Sequence, residues 1–182
     1  ETGRALDLCC GNGIWSQATT RKAPRLKIFG IDISQSGIEC ARQLIPTGTF
    51  IVGDAELELP WPDDFFSVVF ARGPGLYNQH DMDRPATIGV IEMWHAKLRP
   101  WGVFYSIFHS NPDQMGNYGP IQNAKLPMNK LPRFTESVDF RGGKYHHTTE
   151  SFLAPFQKAD RVEILSYDFF DKTHFLVTTR NA

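Results

Sequence analysis

The chain has 182 residues, 41% of them hydrophobic, with 19 Lys and Arg against 20 Asp and Glu and a net charge of −1. That is apolar material for one folded domain, and the near-neutral balance excludes a global field for nucleic acid or an anionic membrane. No apolar run approaches the ~20 residues that span a bilayer, and the three cysteines, Cys9, Cys10 and Cys40, lack metal-ligand spacing, so free thiols in a reducing, cytoplasmic compartment and no metal centre are expected.

In chain order, Ala5 to Cys9 reads as a buried strand that runs into Gly11-Asn12-Gly13 and a helix over Trp15 to Lys22. Leu26 to Ile31 is a second strand closing on Asp32, and Ser34 is placed to cap a helix over residues 36–44. Thr49 to Val52 is a third strand, ending at Gly53-Asp54-Ala55. After an acid- and proline-rich loop, Phe65 to Ala71 is a fourth, bounded by Arg72-Gly-Pro-Gly75. Ile88, Ile91, Trp94 and Leu98 fall at helical spacing in a helix from about Arg84 to Leu98. Pro100 and Gly102 then predict a turn before a fifth strand, Val103 to Phe108. Residues 109–147 carry weak periodicity and read as a lid or insertion. Thr148 or Thr149 opens a last helix through Lys158, and Val162 to Phe170 with Thr173 to Thr179 reads as an antiparallel hairpin around Asp171-Lys172. The alternation predicts a single α/β domain over residues 1–182: Rossmann-like, doubly wound, with a mostly parallel seven-stranded sheet and an antiparallel C-terminal hairpin strand. The chain opens on Glu1 and enters a strand at once, so it reads as a piece from which N-terminal helices are missing.

Three acids follow the ends of three successive strands: Asp7, Asp32 and Asp54. In a parallel sheet those ends share one edge, so the three can converge on one ligand. Asp32 lies at the spacing of an acid that takes two hydrogen bonds from a ribose diol. The dinucleotide fingerprint is incomplete, because Ser16 holds the place of its third glycine. A cationic sulfonium ligand suits the same turn, which carries acid and no lysine clamp.

Leu6-Asp-Leu-Cys-Cys-Gly-Asn-Gly13, Gly30-Ile-Asp32-Ile-Ser34, Gly53-Asp54-Ala55 with Leu59 to Val69, and Leu98-Arg-Pro-Trp-Gly102 occur in this order. Together they resemble the class I S-adenosylmethionine-dependent methyltransferases over residues 4 to about 108. The resemblance implies S-adenosylmethionine as cofactor. It implies that Gly11 and Gly13, with the backbone near Asp7 and Cys9, hold its methionine part. Asp32, with Ile33 beside it, would bind the ribose, Asp54 the adenine amino group and the Ala55 amide the ring. Ala71 and Arg72 would line the methyl end. Cys9 departs from the family, which commonly has glycine there.

The reading is therefore a cytoplasmic methyltransferase acting on a small-molecule acceptor, without a membrane and with nucleic acid not expected. An RNA or protein methyltransferase, a non-catalytic partner subunit of the same fold and an oxidoreductase are the alternatives. His80 and then His109, after the fourth and fifth strands, are the candidate general bases. Tyr77 and Asn78 are candidate substrate contacts, and His146-His147 could close over the site. His95 in a helix and His174 in a strand read as structural. The mixed basic and aromatic stretch from Lys125 to Lys144 reads as a solvated loop rather than a nucleic-acid surface.

Overall fold

Leu6 and Leu8 enter one apolar layer and Ala5 the other, so Arg4–Leu8 is covered on both faces and forms the central strand β1. The computed structural model describes residues 3–78, 82–109, 147, 149–170 and 173–182. After β1 come α1 (Ile14–Lys22), β2 (Lys27–Asp32), α2 (Gln35–Leu44), β3 (Thr49–Val52) and β4 (Phe66–Arg72). A 3₁₀ turn (Gly75–Asn78), α3 (Pro85–Ala96), β5 (Leu98–His109), α4 (Thr149–Lys158), β6 (Val162–Phe170) and β7 (Thr173–Arg180) complete the described elements.

The seven strands form one sheet in the order β3-β2-β1-β4-β5-β7-β6. Strands β1 to β5 are parallel and β7 runs antiparallel to both of its neighbours. The chain builds outward from β1 to β3 and then returns to add β4 on the other side. The strand order thus reverses between β1 and β4, the point at which sheets of this kind hold a ligand crevice beyond their carboxyl ends. One face of the sheet buries Leu6, Leu8, Val69 and Phe104 under Ile91 and Trp94 of α3 and Phe152 and Phe156 of α4. The other buries Ala5, Ile28 and Phe50 under Ile38 and Ala41 of α2.

The helix ends follow local chemistry. The Ser34 hydroxyl accepts from the Gly37 amide at 3.1 Å and caps α2, as its position predicts. The turn expected at Pro100 and Gly102 is instead part of β5. Phe66 faces Leu98 and Val68 faces Val103, so β5 carries extra residues that bulge out of register. Trp101 takes the left-handed conformation, φ 62°, at the tip of that bulge. A side chain at Gly102 would lie 2.8 Å from the Arg99 carbonyl, so glycine lets the chain double back.

Tyr77, a candidate substrate contact in the sequence, is fully buried. Its hydroxyl pairs with that of Ser106 at 2.7 Å, and its ring packs edge-on against Trp94, Phe108 and Phe152. An aromatic ring of that size in an apolar layer is core, not a surface contact. His147 is buried as well, donating from Nε2 to the Tyr77 carbonyl at 2.7 Å, which places it in the α4 packing. His80, His146 and the stretch from Lys125 to Lys144 lie outside the described residues, as does the side chain of Asn78.

His95 and His174 are buried in the core layers. His95 Nδ1 donates to the Ile91 carbonyl at 2.7 Å and Nε2 accepts from the Thr178 hydroxyl at 2.7 Å. Burial pulls both imidazoles down to about 4. They are neutral in the fold while the unfolded chain protonates them near the ordinary 6.5, so stability falls as pH drops from about 6.5 to 4. Asp7, pushed up to about 7, acts in the opposite sense between about 4 and 7. Two histidines against one carboxyl leave a net uptake of about one proton on unfolding, at most about 1.4 kcal/mol per pH unit. Thermal unfolding should therefore shift to lower temperature from pH 6.5 to 4.5. A flat profile would mean that these imidazoles are not held neutral.

Candidate functional site

The turn after β1 forces the backbone into left-handed conformations at three places: Cys9 (φ 60°), Gly11 (φ 53°) and Gly13 (φ 79°). Glycine adopts that region freely, whereas a Cβ there costs roughly 1–2 kcal/mol. This is the physical sense of a glycine where Cys9 stands: the chain turns there in any case, and Cys9 does so under strain.

The two glycines do different work. A side chain at Gly11 would meet nothing within 4 Å, so this residue leaves the crevice floor bare. A side chain at Gly13 would sit 2.8 Å from the Ala41 Cβ and 3.0 Å from its Cα. Gly13 thus lets the start of α1 press against α2. Replacing Gly13 with Ala should destabilise the fold by about 1–3 kcal/mol through overpacking, with left-handed strain added. A melting point unchanged from wild type would remove Gly13 from this contact.

Asp7 ends up beneath the turn because it lies one position before the end of β1. It is 2% exposed, and its Oδ2 accepts from the Ser16 hydroxyl at 2.5 Å. Burial pushes its carboxyl up to about 7, while the Ser16 bond and the Arg72 charge pull it down and Asp32 pushes it further up. Asp32 closes β2 and ties two segments together: Oδ2 accepts from the Gly11 amide and Oδ1 from the Ser34 amide, both at 2.8 Å. Asp54 follows β3 and accepts from the Glu56 amide at 2.8 Å through Oδ1, leaving Oδ2 outside that turn. The carbonyl of the buried Ala55 accepts from the Trp94 indole at 2.6 Å, which anchors the loop to α3.

Cys9 reports where these acids lie relative to one another. Its thiol is pushed far up, first by burial and then by the charges of Asp32, Glu56, Asp7 and Asp54 together. The three strand-end carboxylates therefore act on one point beside the turn. Glu56, 5% exposed, is a fourth that strand-end reasoning passed over because it sits inside the loop rather than at a strand end. Ser16 is a second such residue. It occupies the place of the third glycine in the dinucleotide fingerprint, and that vacancy was its signal.

Around the rim, Ile33 (42% exposed), Ile14 and Leu57 offer apolar surface to solvent. Ala71 is buried at the end of β4 and opposite Leu8, so it supports the floor. Arg72, the next residue, is exposed, with its guanidinium over the Trp15 ring. The backbone of His109 ends β5 opposite Thr173. Among the described residues no cluster of three His, Cys, Asp or Glu could hold a metal ion, and no helix is long and apolar enough to cross a membrane.

A family model described as a methyltransferase domain matches residues 5–102, which cover β1 through the β5 bulge and every acid named above. The chain belongs to the class I S-adenosylmethionine-dependent methyltransferases. Among methyltransferases of known name it is similar to the demethylmenaquinone methyltransferase of Bacillus subtilis, 30% identical over 122 residues. That alignment takes in 64% of this chain and 49% of the relative. The enzyme of the same name from Thermotoga maritima is 41% identical over 66 residues, 36% of this chain and 28% of the relative. The chain thus spans about half or less of the length of these relatives. In fold it matches a chain from the complex of the Haloferax volcanii Trm112 methyltransferase activator with a methyltransferase. The TM-score is 0.68 at 17% identity, covering 100% of this chain and 84% of that one. At that identity the likeness extends to the fold alone.

Proposed function

We propose that the crevice between β1 and β4 binds S-adenosylmethionine and that the protein transfers its methyl group to a small-molecule acceptor. The observation that supports this most is the gathering of Asp7, Asp32, Asp54 and Glu56 around one glycine turn, within reach of a single thiol. A phosphate-bearing dinucleotide would meet four carboxylates there, whereas a sulfonium and an ammonium would be attracted by them.

The residues fit the cofactor one by one. Gly11 leaves space where the amino-acid part would lie against the backbone. Asp32 spends one lone pair of each oxygen on the Gly11 and Ser34 amides, which fixes its plane and leaves a second lone pair on each for a vicinal diol. Asp54 Oδ2 would accept from the adenine amino group and the Ala55 amide would donate to the ring, with Ile33 beneath the purine. When bound, the cofactor supplies an activated methyl group on a positively charged sulfur. The protein's part is then orientation, exclusion of water and, where the acceptor must lose a proton, a base. His80 and His109 are assigned that last role.

A small acceptor is favoured by the name of the curated relatives, demethylmenaquinone methyltransferase, and by a chain without basic excess. Calorimetric titration with S-adenosylmethionine and S-adenosylhomocysteine tests the reading. Micromolar binding, followed by transfer of isotopically labelled methyl to a small-molecule panel, is expected. Heat from neither compound at millimolar concentration would overturn the cofactor assignment, and binding without transfer to any acceptor class would favour a non-catalytic subunit.

A further inference from the structure

Arg72 is not accounted for by the fold. It closes β4 and stands exposed, and among the described residues its side chain makes no hydrogen bond or ion pair. Its guanidinium carbon lies 4.9 Å from the centre of the Trp15 ring, and Trp15 is itself 48% exposed in the first turn of α1. Stacked on an indole, a guanidinium keeps its edge of N–H donors free and loses little freedom when it takes a planar partner. The pair lies beside the glycine turn: Trp15 is two residues beyond Gly13, and Arg72 is near enough to Asp7 for its charge to act there. Among the described groups whose charges reach Asp7 or Cys9, four are acids and Arg72 is the one cation.

We propose that the Trp15–Arg72 pair is a carboxylate-binding fork at the mouth of the crevice, an assignment that rests on the cofactor reading above. A lone fork facing four carboxylates suits a singly charged anion and disfavours a phosphate dianion. One guanidinium and four acids gathered around a single turn match the two charged ends of a zwitterionic α-amino acid head. The carboxylate has two sources, the amino-acid end of the cofactor or an acidic acceptor, and both would dock through the same fork geometry.

Calorimetry on the full chain at pH 8 separates them. Wild type, R72Q and R72K are titrated with S-adenosylhomocysteine and with its decarboxylated analogue, which lacks only the carboxylate. With the cofactor as source, wild type prefers S-adenosylhomocysteine by about tenfold or more. R72Q then loses that preference while binding the analogue as wild type does, and R72K regains it in part. With the acceptor as source, the preference survives R72Q. Protein saturated with S-adenosylhomocysteine then binds benzoate more tightly than benzamide, and R72Q abolishes that difference. The proposal is overturned if R72Q changes neither comparison, or if it weakens S-adenosylhomocysteine and the analogue equally. Wild type binding neither adenosyl compound would overturn the cofactor reading itself, and this proposal with it.

Discussion

Replacing Asp32 with Ala should weaken S-adenosylhomocysteine binding by about 100-fold or more and also lower the melting temperature. Each hydrogen bond from a sugar hydroxyl to an ionised carboxylate is worth about 1.5–3 kcal/mol, so losing two removes roughly 3–6 kcal/mol of affinity. The stability cost has a separate origin. The Gly11 and Ser34 amides, both partly buried, lose their acceptor, at about 1 kcal/mol each where water can partly replace it. Asp32→Asn repairs little, since one of the two amides then faces an NH₂ group. Asp32→Glu keeps both oxygens and should restore most of the affinity. Calorimetry and thermal unfolding of the three variants decide the matter. A variant that melts early yet binds like wild type would leave Asp32 a strut between β1 and α2 and nothing more.

That double duty shows what a sequence can and cannot convey. Asp32 was recognisable from its place after a strand, and so were Asp7 and Asp54, because the parallel sheet maps strand ends in sequence onto one edge in space. The sheet itself was equally legible, since β1, β3 and the β6–β7 pair are short apolar runs with clear punctuation. What escaped depended on the third dimension. The β5 bulge looked like a turn because Pro100 and Gly102 are turn residues anywhere. Only the register against β4 shows that the strand continues past them. Tyr77 looked like a surface contact because its neighbours are polar, yet its ring belongs to the α3–α4 aromatic layer. Gly13 reads as a cofactor residue from its motif, but its missing Cβ is spent on the contact with Ala41. Glycines signal a close approach without saying to what.

Asp7 is where stability and function pull apart. Its neutral form suits the buried position, so ionising it above about pH 7 costs the fold. A shift from 3.8 to about 7 amounts to at most about 4 kcal/mol at pH 8. Asp7→Asn, which keeps the shape and can still pair with the Ser16 hydroxyl, should recover much of that. For a chain of this length the melting point should rise by several degrees, at about 2–4 °C per kcal/mol. The gain should be present at pH 8 and shrink to nothing below about pH 4, where the carboxyl is protonated in the folded and the unfolded state alike. A cationic cofactor reverses the preference. It favours the ionised carboxylate, so binding should release a proton near pH 7. Wild-type affinity for S-adenosylmethionine should climb about tenfold from pH 6 to pH 8, as the ionised fraction does. The groups that set this balance are Ser16 on α1, Arg72 at the end of β4 and Asp32 at the end of β2. Asp7→Asn should therefore be the more stable protein and the weaker binder, with an affinity that no longer follows pH. If instead the variant binds as tightly as wild type across that range, the cationic part of the ligand does not lie against Asp7, and the acid is retained for a reason other than charge.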